Sequence, residues 1–272
     1  MSVTDAAVYR QTQDGVLTLT IHNPSKRNAI FAGLYEQLSA ALEQARNDST
    51  IGAVILKGAK GYFCAGGDLS NLQERRQLAP QENRRFLEDL HDLIRLLRAY
   101  PKPLIAAVEG GAAGAGVSIA FACDLLVVDE AAKFSVAYVK VGLTPDGGVT
   151  GTLGTQLPKA LLMELCLTGT LISAERLYQL GAINRIAPTS EVLATAQEFA
   201  ATLGQGPTQA MARIKQLCQQ SYHASLETQL DSEADSMVQA LGSAEGAEGI
   251  AAFLEKRPAN FRHAQSQEVR HD

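Results

Sequence analysis

The sequence predicts an α/β fold that ends in an all-helical part, and three observations carry that reading. Strand-like and helix-like segments alternate through the first half of the chain, a stretch rich in glycine and alanine joins a strand to a helix at residues 110–125, and beyond Pro188 only helical patterns remain. In order, "VLTLTIH" (16–22) alternates with a period of two and reads as a strand, "AGLYEQLSAALEQAR" (32–46) spaces its apolar residues as a helix does, and "AVILKG" (53–58) reads as a buried strand. The next cycle brings a helix in "NRRFLEDLHDLIRLLRAY" (83–100), stopped by "PKP". It continues with the strand "LIAAVEG" (104–110), the helix after the glycine turn, and the strand "LLVVD" (125–129). Residues 190–204, 207–222, 224–242 and 246–256 then read as helices separated by "GQGP", "YHA" and "GSAEG". The change of character divides the chain into a core of strand–helix units over 1–200 and a helical region over 201–272.

Composition narrows the function classes. The 272 residues suit one large domain with ample apolar content: 46% are hydrophobic and 19% charged. No run of about 18 apolar residues and no basic-then-apolar N-terminus is present, so neither a membrane span nor a signal peptide is read, and a soluble, cytoplasmic protein is expected. Cys64, Cys123, Cys166 and Cys218 lie far apart without a C-x-x-C pair, which suits reduced packing thiols better than disulfides or a zinc site. A net charge of −5 and the lack of a Lys/Arg stripe argue against nucleic acid as a partner.

"GGAAGAGVSIAFACDL" (110–125) packs four glycines and five alanines into sixteen positions. At a helix start the first backbone N–H groups have no internal partner and the helix dipole adds partial positive charge, so such a turn suits an anion. A P-loop would need a Lys after the glycines, and the dinucleotide fingerprint would need Gly where Ile119 stands, so neither nucleotide reading holds. Close packing of the helix on a sheet is the alternative for a turn of this kind. A second stretch, "GYFCAGGDL" (61–69), sets Gly66-Gly67 before an Asp, so two loops can present bare N–H groups to one point. Two such donors make an oxyanion hole, where losing one typically costs about 10²–10³ in rate.

"NPSKRNAI", "GYFCAGGDL", "PKPLIAAVEGGAAGAGVSIAFACDLLVVDEAAKF", "VGLTPDGG" and "AAFLEKRPANF" follow one another in the order and spacing of the enoyl-CoA hydratase/isomerase, or crotonase, superfamily, which the sequence resembles over nearly its whole length. The resemblance implies a spiral of ββα units, a helical C-terminal region used for assembly into trimers or hexamers, and an acyl-CoA thioester as ligand, with no metal or cofactor beyond its CoA moiety. It also implies that the oxyanion donors are the N–H groups of Gly67 and Ala115, where alanine replaces the usual glycine but keeps its N–H. The segment around Lys26, Arg27 and Asn28, with Ala65 and Asp68, is implied near the nucleotide end of CoA. Phe253 and Lys256 are implied to cover that end, across a subunit boundary.

The departures from the family pattern decide the expected chemistry. The two glutamates of the hydratases fall on Ser118 and Tyr138, and neither is a competent base near neutral pH without an activating partner. Asp146, in "VGLTPDGG", stands where epoxyphenylacetyl-CoA isomerases and related enoyl-CoA isomerases carry a catalytic aspartate, and one carboxylate suffices to move a proton from one carbon to another. Pro-Asp-Gly-Gly is equally good turn or N-cap chemistry. The expected function is therefore an acyl-CoA isomerase with Ser118 and Tyr138 shaping the acyl pocket. Two alternatives stand beside it. One is a 4-chlorobenzoyl-CoA-type dehalogenase with Asp146 as nucleophile and His91 in the pocket as base. The other is a non-catalytic acyl-CoA-binding homologue. Cys64 is expected to be a buried structural thiol, and Asp124 a structural polar contact.

Overall fold

A computed structural model describes residues 6–262. Its elements run β1 (Ala7–Gln13), β2 (Val16–His22), α1 (Leu34–Arg46), β3 (Ala53–Gly58), α2 (Leu69–Arg75), α3 (Pro80–Arg98), β4 (Leu104–Val108), β5 (Gly111–Ala113), α4 (Ala115–Ala122), β6 (Leu125–Asp129), β7 (Lys133–Ser135), α5 (Val149–Gly154), α6 (Lys159–Thr168), β8 (Leu171–Ser173), α7 (Ala174–Gln179), β9 (Arg185–Ala187), α8 (Val192–Gly204), α9 (Thr208–Gln220), α10 (Leu226–Leu241) and α11 (Ala244–Leu254). Six strands form one sheet in the order β1-β2-β3-β4-β6-β9, parallel except for the antiparallel β1–β2 pair, and β5-β7-β8 form a second, smaller sheet. No helix among the described residues is long and apolar enough to cross a membrane.

The strands expected at 16–22, 53–58 and 125–129 form at those residues because their side chains are wanted on both faces of the sheet. Leu17, Leu19, Val54, Leu56, Leu104, Ala106, Leu126 and Val128 point into a core shared with α1, α3 and α4. The alternate residues Val16, Ile55, Ile105 and Val127 face Val192, Ala196 and Ala200, which α8 presents at four-residue spacing. The end of α8 comes so close that a Cβ on Gly52 would lie 2.2 Å from the carbonyl oxygen of Gly204. Only glycine tolerates that contact.

Local chemistry moves several expected boundaries. The helix expected over 32–46 begins at Leu34, because Gly33 adopts φ 84° before it. The helix expected from 83 begins at Pro80, whose ring pre-sets a helical φ, and Glu82 accepts the Ala79 N–H at 3.1 Å. The last helix begins at Ala244, where Ser243 caps the Gly246 N–H. Strands β1, β5, β7, β8 and β9 were not expected: β1 is a polar edge strand, and the others are three residues long.

Beyond Gly204 the chain leaves the sheet. A partly buried ion pair between Lys215 of α9 and Asp124, which also accepts the Leu104 N–H at 2.8 Å, ties α9 to the start of β4. Glu245, itself buried, accepts the N–H groups of Gln209 and Ala210 and so binds α11 to the start of α9.

Candidate active site

The two glycine loops lie side by side. The Ala113 N–H donates to the Cys64 carbonyl at 3.0 Å, the Phe63 N–H to that of Gly111 at 3.2 Å, and Cys64 pairs with Ala112 in an isolated parallel bridge. The approach is as close as backbones allow: a Cβ on Gly66, which has φ 83°, would lie 2.5 Å from the Ala113 oxygen and 3.1 Å from the Ala115 nitrogen, and one on Gly116 would lie 2.3 Å from the Cys64 oxygen. That closeness accounts for the bare sequence at both loops. Ala115 is the first residue of α4, where an N–H has no intrahelical partner, and Gly67 lies just before the N-cap of α2. Neither N–H donates to an acceptor among the described residues. Beneath them Cys64 is fully buried, and burial pushes its thiol up to about 11, so it is a packing thiol.

Asp146 stands beside this pair of loops. Tyr138 Oη donates to Asp146 Oδ1 at 2.7 Å, and Ser118 Oγ donates to the Asp146 carbonyl oxygen at 3.0 Å. The Tyr138 ring approaches the glycine turn itself, since a Cβ on Gly114 would lie 3.8 Å from its Cζ. A Cβ on Gly147 would lie 2.8 Å from Ser118 Cβ and 3.2 Å from Leu90, which holds the aspartate turn against α4 and α3. Burial, and after it the Asp146 carboxylate, pushes the Tyr138 phenol well above its usual range. It remains a hydrogen-bond donor throughout the physiological range. Of the two alternatives for Asp146, the helix cap is not realised: the N-cap of α5 is Gly148, and the Asp146 carboxylate takes its hydrogen bond from Tyr138.

Residues 11–265 match the enoyl-CoA hydratase/isomerase family. The chain belongs to that family. It is 36% identical over 255 residues to the 1,2-epoxyphenylacetyl-CoA isomerase of Escherichia coli K12, covering 93% of this chain and 97% of the relative. To the 2,3-dehydroadipyl-CoA hydratase of the same organism it is 33% identical, with 92% and 96% covered. Among solved structures an enoyl-CoA hydratase from Polaromonas sp. JS666 superposes with a TM-score of 0.91 at 42% identity, covering 93% of this chain and 98% of that one. The crotonase-type fold implied by the sequence is the one this enoyl-CoA hydratase/isomerase family member adopts.

The other residues that the resemblance singled out fall into three groups in this family member. Lys26 pairs with Asp68, whose other carboxylate oxygen accepts the Ser70 N–H at 3.0 Å and caps α2; the Lys26 hydrogen bond holds the Asp68 carboxyl below its usual range. Arg27 lies over the Tyr62 ring at 5.8 Å, and its carbonyl accepts the Ala65 N–H at 3.0 Å. Lys26, Arg27, Ala65 and Asp68 are thus gathered around one loop, whereas Asn28 is wholly buried and turned inward. Phe253 and Lys256 sit on and after α11, with Phe253 84% exposed. His91 lies with its Nδ1 3.7 Å from the Glu88 carboxylate, in a partly exposed cluster with Arg84 and Arg95 on α3. No hydrogen bond joins it to Asp146 among the described residues, because the helical phase that turns Leu90 inward turns His91 aside.

One residue near the site escaped the sequence reading. Tyr35, on the first turn of α1, has its phenol raised by burial first and then by the charge of Asp146, with Cys64, Arg75 and Asp89 also felt. No motif marks it; only its place beside the buried Leu34 brings it into this surrounding.

Proposed function

We propose that this family member is an acyl-CoA isomerase whose proton-transfer group is Asp146. The observation that carries the reading is that Ser118 and Tyr138, at the two positions where hydratases of this family have glutamates, both hydrogen-bond to Asp146, which leaves one carboxylate in place of two. A hydratase needs one group to activate water and another to exchange a proton with carbon. An isomerase needs a single base that is charged before the transfer and neutral after it.

In this reading the thioester oxygen accepts hydrogen bonds from the N–H groups of Gly67 and Ala115, which stabilise the enolate that forms when a C–H bond breaks. The Asp146 oxygen not held by Tyr138 takes the proton from one carbon of the acyl chain. The electron pair of that C–H bond delocalises onto the thioester oxygen, and Asp146, now neutral, returns the proton to another carbon, so the double bond moves and no atom is gained or lost. Tyr138 fixes the carboxylate plane. Lys26, Arg27, Ala65 and Asp68 receive the nucleotide end of CoA. The reaction as drawn calls for no cofactor beyond that CoA moiety.

The similarity to an epoxyphenylacetyl-CoA isomerase supports the reading, and no observation favours the dehalogenase, whose histidine would have to reach the ester formed on Asp146. Phe253, Leu254, Val238 and Leu226 are each 70% exposed or more, an apolar surface that supports assembly into a trimer or hexamer with α11 covering CoA across a subunit boundary. Purified protein presented with 3-enoyl, 2-enoyl, epoxyphenylacetyl and 4-chlorobenzoyl thioesters of CoA, analysed by chromatography and mass spectrometry, tests the function. A product of unchanged mass and new retention that Asp146→Asn no longer forms is expected. Unchanged turnover by Asp146→Asn, or loss of chloride with gain of hydroxyl, overturns the reading.

A further inference from the structure

We infer that Asn28 is a positioning residue that sets the first N–H of the anion-binding pair through the strap of residues 23–30. The inference rests on the proposed role of Gly67.

Asn28 has no exposed surface, and its side chain is fully engaged. Oδ1 accepts the Asn23 N–H at 2.9 Å, and Nδ2 donates to the carbonyls of Ala59 at 2.8 Å and Tyr62 at 2.6 Å. One amide therefore closes its own turn and clamps it to the chain just ahead of the 64–67 loop. The backbone at Arg27 and Asn28 adopts φ 50° and 55°, the left-handed region that asparagine tolerates better than most residues. That conformation is maintained by the clamp and by two further bonds of the same turn, Asn28 N–H to the Asn23 carbonyl at 2.8 Å and Asn23 Nδ2 to the Ala29 carbonyl at 2.9 Å.

The strap in turn holds the loop. The Ala65 N–H donates to Arg27 O at 3.0 Å, the Ile30 N–H donates to Gly66 O at 2.8 Å, and Ile30 pairs with Gly67 in an isolated parallel bridge. These contacts lie on either side of Asn28 in sequence, so the loop is gripped by the residues whose conformation Asn28 dictates. On its other side the loop rests against residues 111–116. Its second wall is fixed by backbone hydrogen bonds and close glycine contacts, and its first by backbone hydrogen bonds from the strap that the Asn28 side chain anchors. Asn28 touches no substrate atom in this arrangement; it acts through the peptide planes of Ala65, Gly66 and Gly67. A buried amide with both ends bonded is costly to disturb, because its partners stay buried without it.

The test is isotope-edited infrared spectroscopy of carbonyl-labelled hexanoyl-CoA, a saturated thioester that cannot isomerise, bound to the full chain. It is combined with kcat and KM for whichever thioester of the panel is turned over. The wild type is expected to lower the carbonyl stretch on binding. Asn28→Ala is expected to lose a large part of that shift and to lower kcat by about tenfold to a hundredfold, less than the about 10²–10³ for a donor removed outright, while KM changes by less than about threefold, because the N–H groups hold the developing enolate more strongly than the ground-state carbonyl. If Asn28→Ala does not fold, Asn23→Ala, which removes only the bond to the Ala29 carbonyl, is expected to give a smaller change in the same two quantities. A variant that folds and keeps both the carbonyl shift and kcat overturns the inference. A wild type that binds the thioester without shifting its carbonyl would instead overturn the role of Gly67 itself.

Discussion

The phenol of Tyr138 and the carboxylate of Asp146 are joined by a 2.7 Å hydrogen bond across eight positions of sequence, between the segment after β7 and the turn before α5. The bond occupies one carboxylate oxygen and leaves the other with no hydrogen-bond partner among the described residues. Tyr138→Phe keeps the ring that packs over Gly114 and removes only the donor. The expected result is a fall in kcat of about tenfold to a hundredfold, the value of a hydrogen bond to a charged group, with the folded structure retained by circular dichroism. A kcat within twofold of wild type would show that the bond does not orient Asp146 for the proposed proton transfer.

The buried acids of the core predict loss of stability in alkali. Burial raises the phenols of Tyr35, Tyr100 and Tyr138 above 10.0 and the thiol of Cys64 from 9.0 to about 11. The folded state then binds more protons than the unfolded state above those ordinary values. Stability is therefore fully present below pH 9 and falls as the pH climbs through 9 to 11 and beyond. Thermal unfolding measured across this range should show a declining Tm. Absorbance titration of the phenols should leave these three silent until the chain unfolds.

Lys215 and Asp124 form a partly buried ion pair. Burial, opposed by Lys215, holds the Asp124 carboxyl above its usual range. Lys215→Met removes the opposing cation, and the cost is expected to approach, without exceeding, the about 3–5 kcal/mol of breaking a fully buried pair. The raised carboxyl binds a proton more readily in the folded than in the unfolded state, so the deficit should be largest at pH 7 and shrink on acidification towards pH 4. Urea unfolding of both proteins at the two pH values measures it, and an equal deficit at both would contradict the assignment.

The two glycine classes should respond oppositely to alanine. At Gly116 a Cβ would meet the Cys64 backbone at 2.3 Å, so Gly116→Ala must part the two loops; a loss of about 1–3 kcal/mol is expected, as for other overpacked sites, together with a fall in kcat. Gly151 lies in α5 with nothing within 4 Å of a built Cβ, and Gly151→Ala should gain about 0.5–1 kcal/mol without touching activity. Denaturant midpoints and kcat for the pair test both statements.

How far the sequence could be read depends on what each residue reports. The strands at 16–22, 53–58 and 125–129 were legible because residues buried on both faces of a sheet leave continuous or alternating apolar runs. Gly66 and Gly116 were legible because bare backbone is needed where chain crosses chain. The three-residue strands of the second sheet left no such trace, and α2 left none beyond the turn that starts it, because none of its seven residues is buried.

At the site, Asp146 could be picked out by its place in a motif, but its partners could not. Tyr138 and Ser118 looked like lost glutamates until the fold brought both onto Asp146, and Asn28, which the resemblance implied near the nucleotide end of CoA, is wholly buried in the fold. By itself the sequence determined the α/β architecture and marked the two bare loops, since each depends on local pattern or on the size of a side chain, and its resemblance to the family singled out Asp146. Tertiary structure alone decided which hydroxyls bond to Asp146, which amide ties the 23–30 strap to the chain just ahead of the 64–67 loop and why His91 stands aside, because each depends on where packing brings together residues that no local pattern relates.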